Sequence, residues 1–348
     1  MAATVSPAGG APVLVQDLAA IETALAELWR TTSDPAAVGT ASAVLRAATF
    51  NLVALVASER EGQAAASILA DLTAHHPGRV LILCLDPDAA ADELTAWVAT
   101  HCRPIGDGLQ VCGEQVMIVA GGRAVERVGS AVPALFLPDC PAIAWWRAGP
   151  ESPALILDRL APSLDALLLD GTRIGPAALA PWVAGVRDVR ASLAVGDLAW
   201  ERAEPWREWT ADCFEPHDVR PDLRALGSVD VEYGSSGETV ACLYLAWLAA
   251  RLGWRPGQRL TRGPGGGVTG RLAAPAGDVA VTLRPGAAAA GIAGLRLETP
   301  GGLRCVLARQ GPETVALRVT RGDEVVLRRV IRWPEPDEIA LVGRWLER

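Results

Sequence analysis

Tyr233-Gly-Ser-Ser-Gly-Glu238 is the stretch that comes nearest to a catalytic spacing. A nucleophilic serine on a sharp turn needs G-x-S-x-G, which holds its hydroxyl clear of the chain. This stretch misses by one residue, and Ser235 with Glu238 fits the S-x-x-E capping box that opens a helix. His75 and His76 close a predicted helix, where imidazoles complement the dipole, and His101 and His217 stand alone. A dinucleotide site needs G-x-G-x-x-G between a first strand and its helix. Here that strand runs into Ser58-Glu-Arg-Glu-Gly-Gln63, one glycine among carboxylates that would repel a pyrophosphate. The glycine cluster 263–270 lies between predicted strands and reads as a hairpin loop. The chain has no lysine, so all 32 basic residues are arginine. That excludes a Walker A loop, Schiff-base and pyridoxal chemistry, and a protein-kinase site. No catalytic residue, metal site or cofactor is expected.

The elements around these residues follow from hydrophobic patterning. Asp17 caps a predicted helix in which Leu18, Ile21, Leu25 and Leu28 recur at helical spacing. Residues 48–56, 79–86, 141–146, 166–170 and 191–195 are short runs apolar on both faces, the pattern of buried parallel strands. Helical stretches at 63–75, 89–99, 153–160 and 176–189 alternate with them, and 115–120 adds a strand. This predicts an α/β, doubly wound, mostly parallel sheet over 17–198, Rossmann-like but without the nucleotide fingerprint, after a loose tail over 1–16. Residues 199–348 are expected to form a helical segment and a C-terminal antiparallel β-meander (α+β) domain, with Gly253 ending a helix and a last helix within 334–348.

Of the 348 residues half are hydrophobic, enough for a sizeable core. A formal charge of −8 makes the chain a poor partner for nucleic acid. The longest apolar runs are of strand length, so no membrane span is expected, and the N-terminus shows no secretory pattern. A cytoplasmic location follows as the expectation. Seven cysteines without a C-x-x-C read as reduced thiols. Cys84, Cys242 and Cys305 fall in apolar patterns and are expected to be buried and inert. Cys102, between His101 and Arg103 near the end of the 89–99 helix, is the redox candidate, because local positive charge favours thiolate.

Twelve tryptophans against two tyrosines and three phenylalanines are the distinctive composition. Trp145, Trp146 and Arg147 end a predicted parallel strand, at the edge where open α/β sheets bind ligands. Trp200, Trp206 and Arg207 follow on a predicted helix. Tryptophan is ordinarily core, yet with arginine it is also the favoured anchor of protein interfaces. A second chemistry would use Arg147 and Arg207 to clamp the phosphate of a sugar phosphate.

The same segments resemble a known family. Leu137-Pro-Asp-Cys-Pro-Ala-Ile-Ala-Trp-Trp-Arg147 is similar to the L-P-D-x-P…W-W-R segment of glucose-6-phosphate dehydrogenase assembly proteins (OpcA). Asp197-Leu-Ala-Trp-Glu-Arg-Ala-Glu-Pro-Trp-Arg-Glu208 resembles their D-L-N-W…P-W-R-E segment, with Ala199 in place of Asn. His76-Pro-Gly-Arg79 resembles H-P-S-R, with Gly78 in place of Ser. Val231 to Gly234 and Arg251 to Trp254 extend the match, in order, over about residues 45–255. The resemblance implies a non-enzymatic protein that binds glucose-6-phosphate dehydrogenase and promotes its active oligomer, feeding NADPH supply in the oxidative pentose phosphate pathway. It also implies redox control through cysteines, with a thiol partner such as thioredoxin. Trp145, Trp146, Arg147, Trp200, Trp206 and Arg207 are the expected partner-binding residues.

Overall fold

The computed structural model describes residues 12–32, 43–106, 109–149, 154–257, 260–286 and 291–347. They form an α/β chain of two units. The first comprises Met1–Leu169, Ala180–Gly196 and Leu346–Arg348, the second Asp170–Leu179 and Asp197–Trp345.

In chain order the elements up to the changeover are β1 (Val13–Val15), α1 (Ile21–Thr32), β2 (Ala43–Arg46), β3 (Asn51–Val56), α2 (Glu59–His75), β4 (Arg79–Asp86), β5 (Leu94–Gly106), β6 (Leu109–Gly121) and α3 (Ala124–Ala131). Next come β7 (Ala142–Trp146), α4 (Ala154–Leu160), β8 (Ala166–Leu169), α5 (Gly171–Ile174), α6 (Pro176–Val189) and β9 (Ala194–Asp197). The sheet runs β1-β5-β6-β4-β3-β7-β8-β9, with β2 beside β6. β6, β4, β3, β7 and β8 pair in parallel, and the strand order reverses between β3 and β7. β3 and β7 are buried at every position, as strands covered on both faces must be.

Three expectations fail here. Residues 89–99 are not helical: Leu94 onward is β5, a long strand antiparallel to β6. Its β-branched Thr95, Val98 and Thr100 suit a pleated surface, and pairing along the β5–β6 hairpin overrides local helix propensity. The sheet is therefore mixed. Within the expected 1–16 tail, Val13–Val15 pairs with β5, while 1–11 lie outside the described residues. Finally, the capping box belongs to another helix. Ser58 Oγ accepts from Glu61 N, and the Glu61 carboxylate accepts from Ala57 N, both at 3.2 Å.

The second unit adds α7 (Leu198–Cys213), β10 (Ser228–Tyr233), α8 (Glu238–Leu252), β11 (Arg255–Pro256), β12 (Thr261–Arg262), β13 (Val268–Ala274), β14 (Gly277–Pro285), β15 (Ile292–Glu298), β16 (Leu303–Gly311), β17 (Thr314–Arg321), β18 (Glu324–Arg332) and α9 (Glu338–Leu346). Its sheet runs β11-β13-β14-β10-β15-β16-β17-β18, with β12 beside β13. All the pairs are antiparallel except β10 with β14. Alternate residues such as Val229, Val231, Val281, Leu307 and Leu317 are buried beneath α7 and α8. Ser235 does not cap α8. Gly237 is the cap, without a side-chain hydrogen bond, because a Cβ there would stand 2.2 Å from the Gly291 carbonyl oxygen. Gly253 ends α8 in the left-handed region at φ 69°, as its position suggested.

One polar cluster organises the first unit. Arg79, the first residue of β4, is 2% exposed and faces Glu114 across the strand pair. Its Nε donates to Glu114 Oε2 at 2.6 Å, and Nη1 donates to the Leu135 carbonyl at 2.6 Å and to Glu22 of α1. Glu114 also receives Trp29 Nε1 and pairs with Arg46 of β2 at 2.7 Å. Burial works against the Arg79 charge, but hydrogen bonds and Coulomb attraction from Glu22 and Glu114 outweigh it and raise its pKa. Removing one member of a buried pair strands the other charge, a cost of about 3–5 kcal/mol, whereas replacing both with apolar groups costs far less. Arg79→Ala is therefore expected to lose about that much in urea unfolding, and Arg79→Met with Glu114→Leu much less. A double variant that is as unstable as the single one would reject this account.

Candidate functional site

The carboxyl edge of the first sheet is where this topology takes ligands. The N-terminus of α2 follows β3 there, and Glu59 and Glu61 occupy its first turn. The Ser58 hydroxyl and the Glu61 carboxylate take up the local amide donors. A cavity of about 500 Å³ is lined by Glu59, Asp86, Glu93 and Cys84. Burial, then the Glu59 and Glu61 charges, push the Cys84 thiol up to about 12, so it stays protonated. Acidic side chains thus stand where a pyrophosphate would need donors.

The expected partner-binding residues divide between interior and surface. Trp145 and Trp146 on β7 are buried, one on each face of the strand. Trp146 packs edge-on to Trp182 at 5.4 Å. Arg147 is buried too, its guanidinium 4.8 Å from the Trp145 ring centre. The Leu137–Pro141 loop that leads into β7 is held by Asn51, whose amide donates to the carbonyls of Leu137 and Cys140 and accepts from Leu137 N at 2.7 Å. In the second unit Trp206 is buried and packs edge-on to Trp209, which packs edge-on to Trp333. These tryptophans build the core. Trp200 and Arg207 are half-buried, seven residues apart on one face of α7. Arg207 lies 3.7 Å over the Trp200 ring and donates to the Trp200 carbonyl at 2.8 Å. Pro205 is interior to α7 rather than in its first turn, and it removes the N–H that would meet the Glu201 carbonyl.

The redox candidate is corrected. Cys102 lies within strand β5, not near a helix end, and is disulfide-bonded to the facing Cys112 of β6. Cys213 of α7 and Cys305 of β16 form a second disulfide, so the expectation of reduced thiols throughout fails. Cys84, Cys140 and Cys242 are free. Strand pairing, which a helix over 89–99 does not offer, brings Cys102 and Cys112 together.

Two carboxylates have a role that the sequence motifs do not assign, although Asp170 follows a strand, Asp197 ends one, and each precedes a helix, the usual cap position. Asp170 accepts from Thr172 N and from Arg202 Nη1, both at 3.0 Å. Asp197 Oδ1 accepts from Gly171 N and Ala199 N, both at 2.8 Å. Burial first, and the neighbouring Asp170 charge, push Asp197 up to about 6, against the pull of those amides and of Arg202. The folded chain thus keeps a proton on Asp197 where the unfolded chain, near the ordinary 3.8, has released it. Stability from this group is complete below that value and is lost as pH rises toward 6, on the order of 1 kcal/mol per unit. Asp197→Asn, which keeps the accepting oxygen, should hold its urea midpoint between pH 4 and pH 6 better than the parent. Parallel pH profiles for the two proteins would reject the shift.

Comparison with known proteins places this geometry. Residues 69–180 match the family model described as the glucose-6-phosphate dehydrogenase subunit N-terminal domain, and residues 193–348 match the corresponding C-terminal domain. A "Putative OxPP cycle protein OpcA" of Synechocystis sp. is 31% identical over 190 residues, 53% of this chain and 39% of that protein. One from Nostoc punctiforme is 29% identical over 179 residues, 50% of this chain and 38% of that protein. The matched region thus spans about two fifths of the length of these curated relatives. Among solved structures, glucose-6-phosphate 1-dehydrogenase from Mycobacterium avium has a TM-score of 0.52 at 12% identity, covering 86% of each chain. An oxidoreductase from Sinorhizobium meliloti has a TM-score of 0.51 at 11% identity, covering 86% of this chain and 88% of its own. At such identity these likenesses concern the fold alone. With both of its domain models matched in order, the chain belongs to the glucose-6-phosphate dehydrogenase assembly protein (OpcA) family.

Proposed function

We propose that this protein is a non-catalytic assembly factor and activator of glucose-6-phosphate dehydrogenase. It binds the competent oligomer or conformer more tightly than the alternatives and shifts the population toward it. A tenfold shift needs only about 1.4 kcal/mol of differential binding, which a few anchors supply. The observation that carries this reading is the family match over both units. The acidic edge at α2 supports it, because a site that repels a pyrophosphate suits an effector better than a dehydrogenase. A phosphate clamp of Arg147 and Arg207 has less support, because each guanidinium lies over a tryptophan of its own unit. Thiol control in this reading involves the Cys102–Cys112 and Cys213–Cys305 disulfides rather than a lone Cys102 thiolate.

The test is to add the purified chain to the dehydrogenase of the same organism. Activity should rise through kcat, KM or the oligomer population, and the two should comigrate in size exclusion at micromolar concentrations. Unchanged kinetics without comigration rejects the proposal, and heat from glucose 6-phosphate with this chain alone favours the clamp. Arg207→Ala should lower binding of the dehydrogenase by up to about 2 kcal/mol with little change in melting temperature. Arg147→Ala should instead lower the melt, because it removes a buried side chain. Equal effects of both substitutions on the melt alone would make both residues structural.

A further inference from the structure

Among the described residues, one face of the second unit's sheet lies beneath α7 and α8, and no helix packs closely on the other. Strand register sets out the bare face in rows. One row runs Gly294, Ala308, Ala316 and Val330 across β15, β16, β17 and β18. The next runs Arg296, Val306, Arg318 and Arg328 across the same strands. A solvated sheet face is ordinarily polar at such positions. Here its centre is small and apolar, and Val330, at 61% exposed, is the most exposed of the large hydrophobic residues described.

The arginine row is costly where it stands. Arg318 and Arg328 face each other on antiparallel strands, and like charges directly opposite destabilise a sheet. Other arginines of this sheet have carboxylates: Arg284 pairs with Glu232 at 2.9 Å, Arg304 with Glu298 at 2.6 Å, and Arg332 with Glu313 at 3.3 Å. Arg329 turns to the other face and meets Asp212 at 3.3 Å. Among the described residues, Arg318 and Arg328 have no ion pair. Arg296, at the inner end of the row, faces Asp230 of β10, so the uncompensated charge is that of Arg318 and Arg328. A low, apolar strip bordered by these two has the anatomy of a protein interface, in which an apolar centre is flanked by arginine anchors.

Charge decides the occupant. A second copy docked by a two-fold axis through this row would set arginine against arginine. A partner with carboxylates around an apolar patch would relieve the repulsion. We propose that the outer face of β15–β18 is the docking surface for such an acidic patch. The proposal rests on the reading above, and the partner is the dehydrogenase. Small residues let a flat partner surface approach the strands closely, while Arg318 and Arg328 gain the carboxylates that their own sheet denies them.

The opposed pair makes stability and binding separable. Arg328→Glu, and separately Arg318→Glu, turns a repulsive cross-strand pair into an attractive one, so the melting temperature should hold or rise. Each should weaken binding of the purified dehydrogenase to the full chain at least tenfold in calorimetry, and the parent's affinity should fall with added salt. Arg271→Glu, an equal charge change on distant β13 of the same sheet, should bind like the parent. Tight binding by both reversals, when the parent binds, overturns the surface and leaves the functional reading intact. Equal loss in Arg271→Glu overturns it in favour of long-range charge. A parent dimer that the reversals break overturns it in favour of a second copy. No binding by the parent overturns the functional reading, and this partner assignment with it.

Discussion

A buried arginine has to be met by a carboxylate, and Arg79 fixes the first unit through that need. Its partners lie on α1, on β6 and in the segment that ends at Leu135, and Glu114 in turn holds Trp29 and Arg46. Four charged groups of balanced sign are thus gathered at the amino edge of the sheet, where β4 and β6 begin their pairing at Arg79 and Glu114. Asn51 does the same one strand over, saturating its amide on the loop that precedes β7. Gly78 lets the chain enter this corner, because a Cβ there would meet the Phe50 carbonyl oxygen at 2.8 Å. A larger residue would require that corner to open slightly.

With the amino edge tied down by polar contacts, the carboxyl edge is free to vary, and here it is acidic. The capping box at Ser58 and Glu61 satisfies the start of α2 from within the chain. The start of α2 therefore needs no outside ligand to satisfy the donors that Ser58 and Glu61 take up. Strand order depends on the buried β3 and β7 cores, whereas ligand chemistry depends on a few residues after β3.

Much of this was legible from the pattern of residues. Residues 79–86 and 176–189 have the expected element at the expected bounds, because a doubly apolar run and a long helical period admit little else. The 89–99 segment misled because alanine-rich, mildly amphipathic text favours a helix locally, while a thirteen-residue partner strand decides it globally. The disulfides were illegible for the same reason, since register and not spacing brings Cys102 to Cys112. The two capping boxes show how a motif can be real and misplaced: S-x-x-E occurs at Ser58 and at Ser235, and only the second faces a backbone too close for any side chain at its cap. Glu114 carried no local signal at all, because its role arises from a contact 35 residues away.

The tryptophans carry the last step. A motif rich in Trp and Arg suggests contact with a partner, yet Trp145, Trp146 and Trp206 are interior, each stacked or wrapped by its own unit. Their size is what β7 and α7 need in order to fill wide spaces with few residues. In this chain the residues that carry the resemblance thus build the core. The groups that the core does not consume are others: Arg207 over Trp200 on α7, and the opposed Arg318 and Arg328 on the outer sheet face. Arg318 and Arg328 have no motif, since strand register and not local sequence sets them opposite each other.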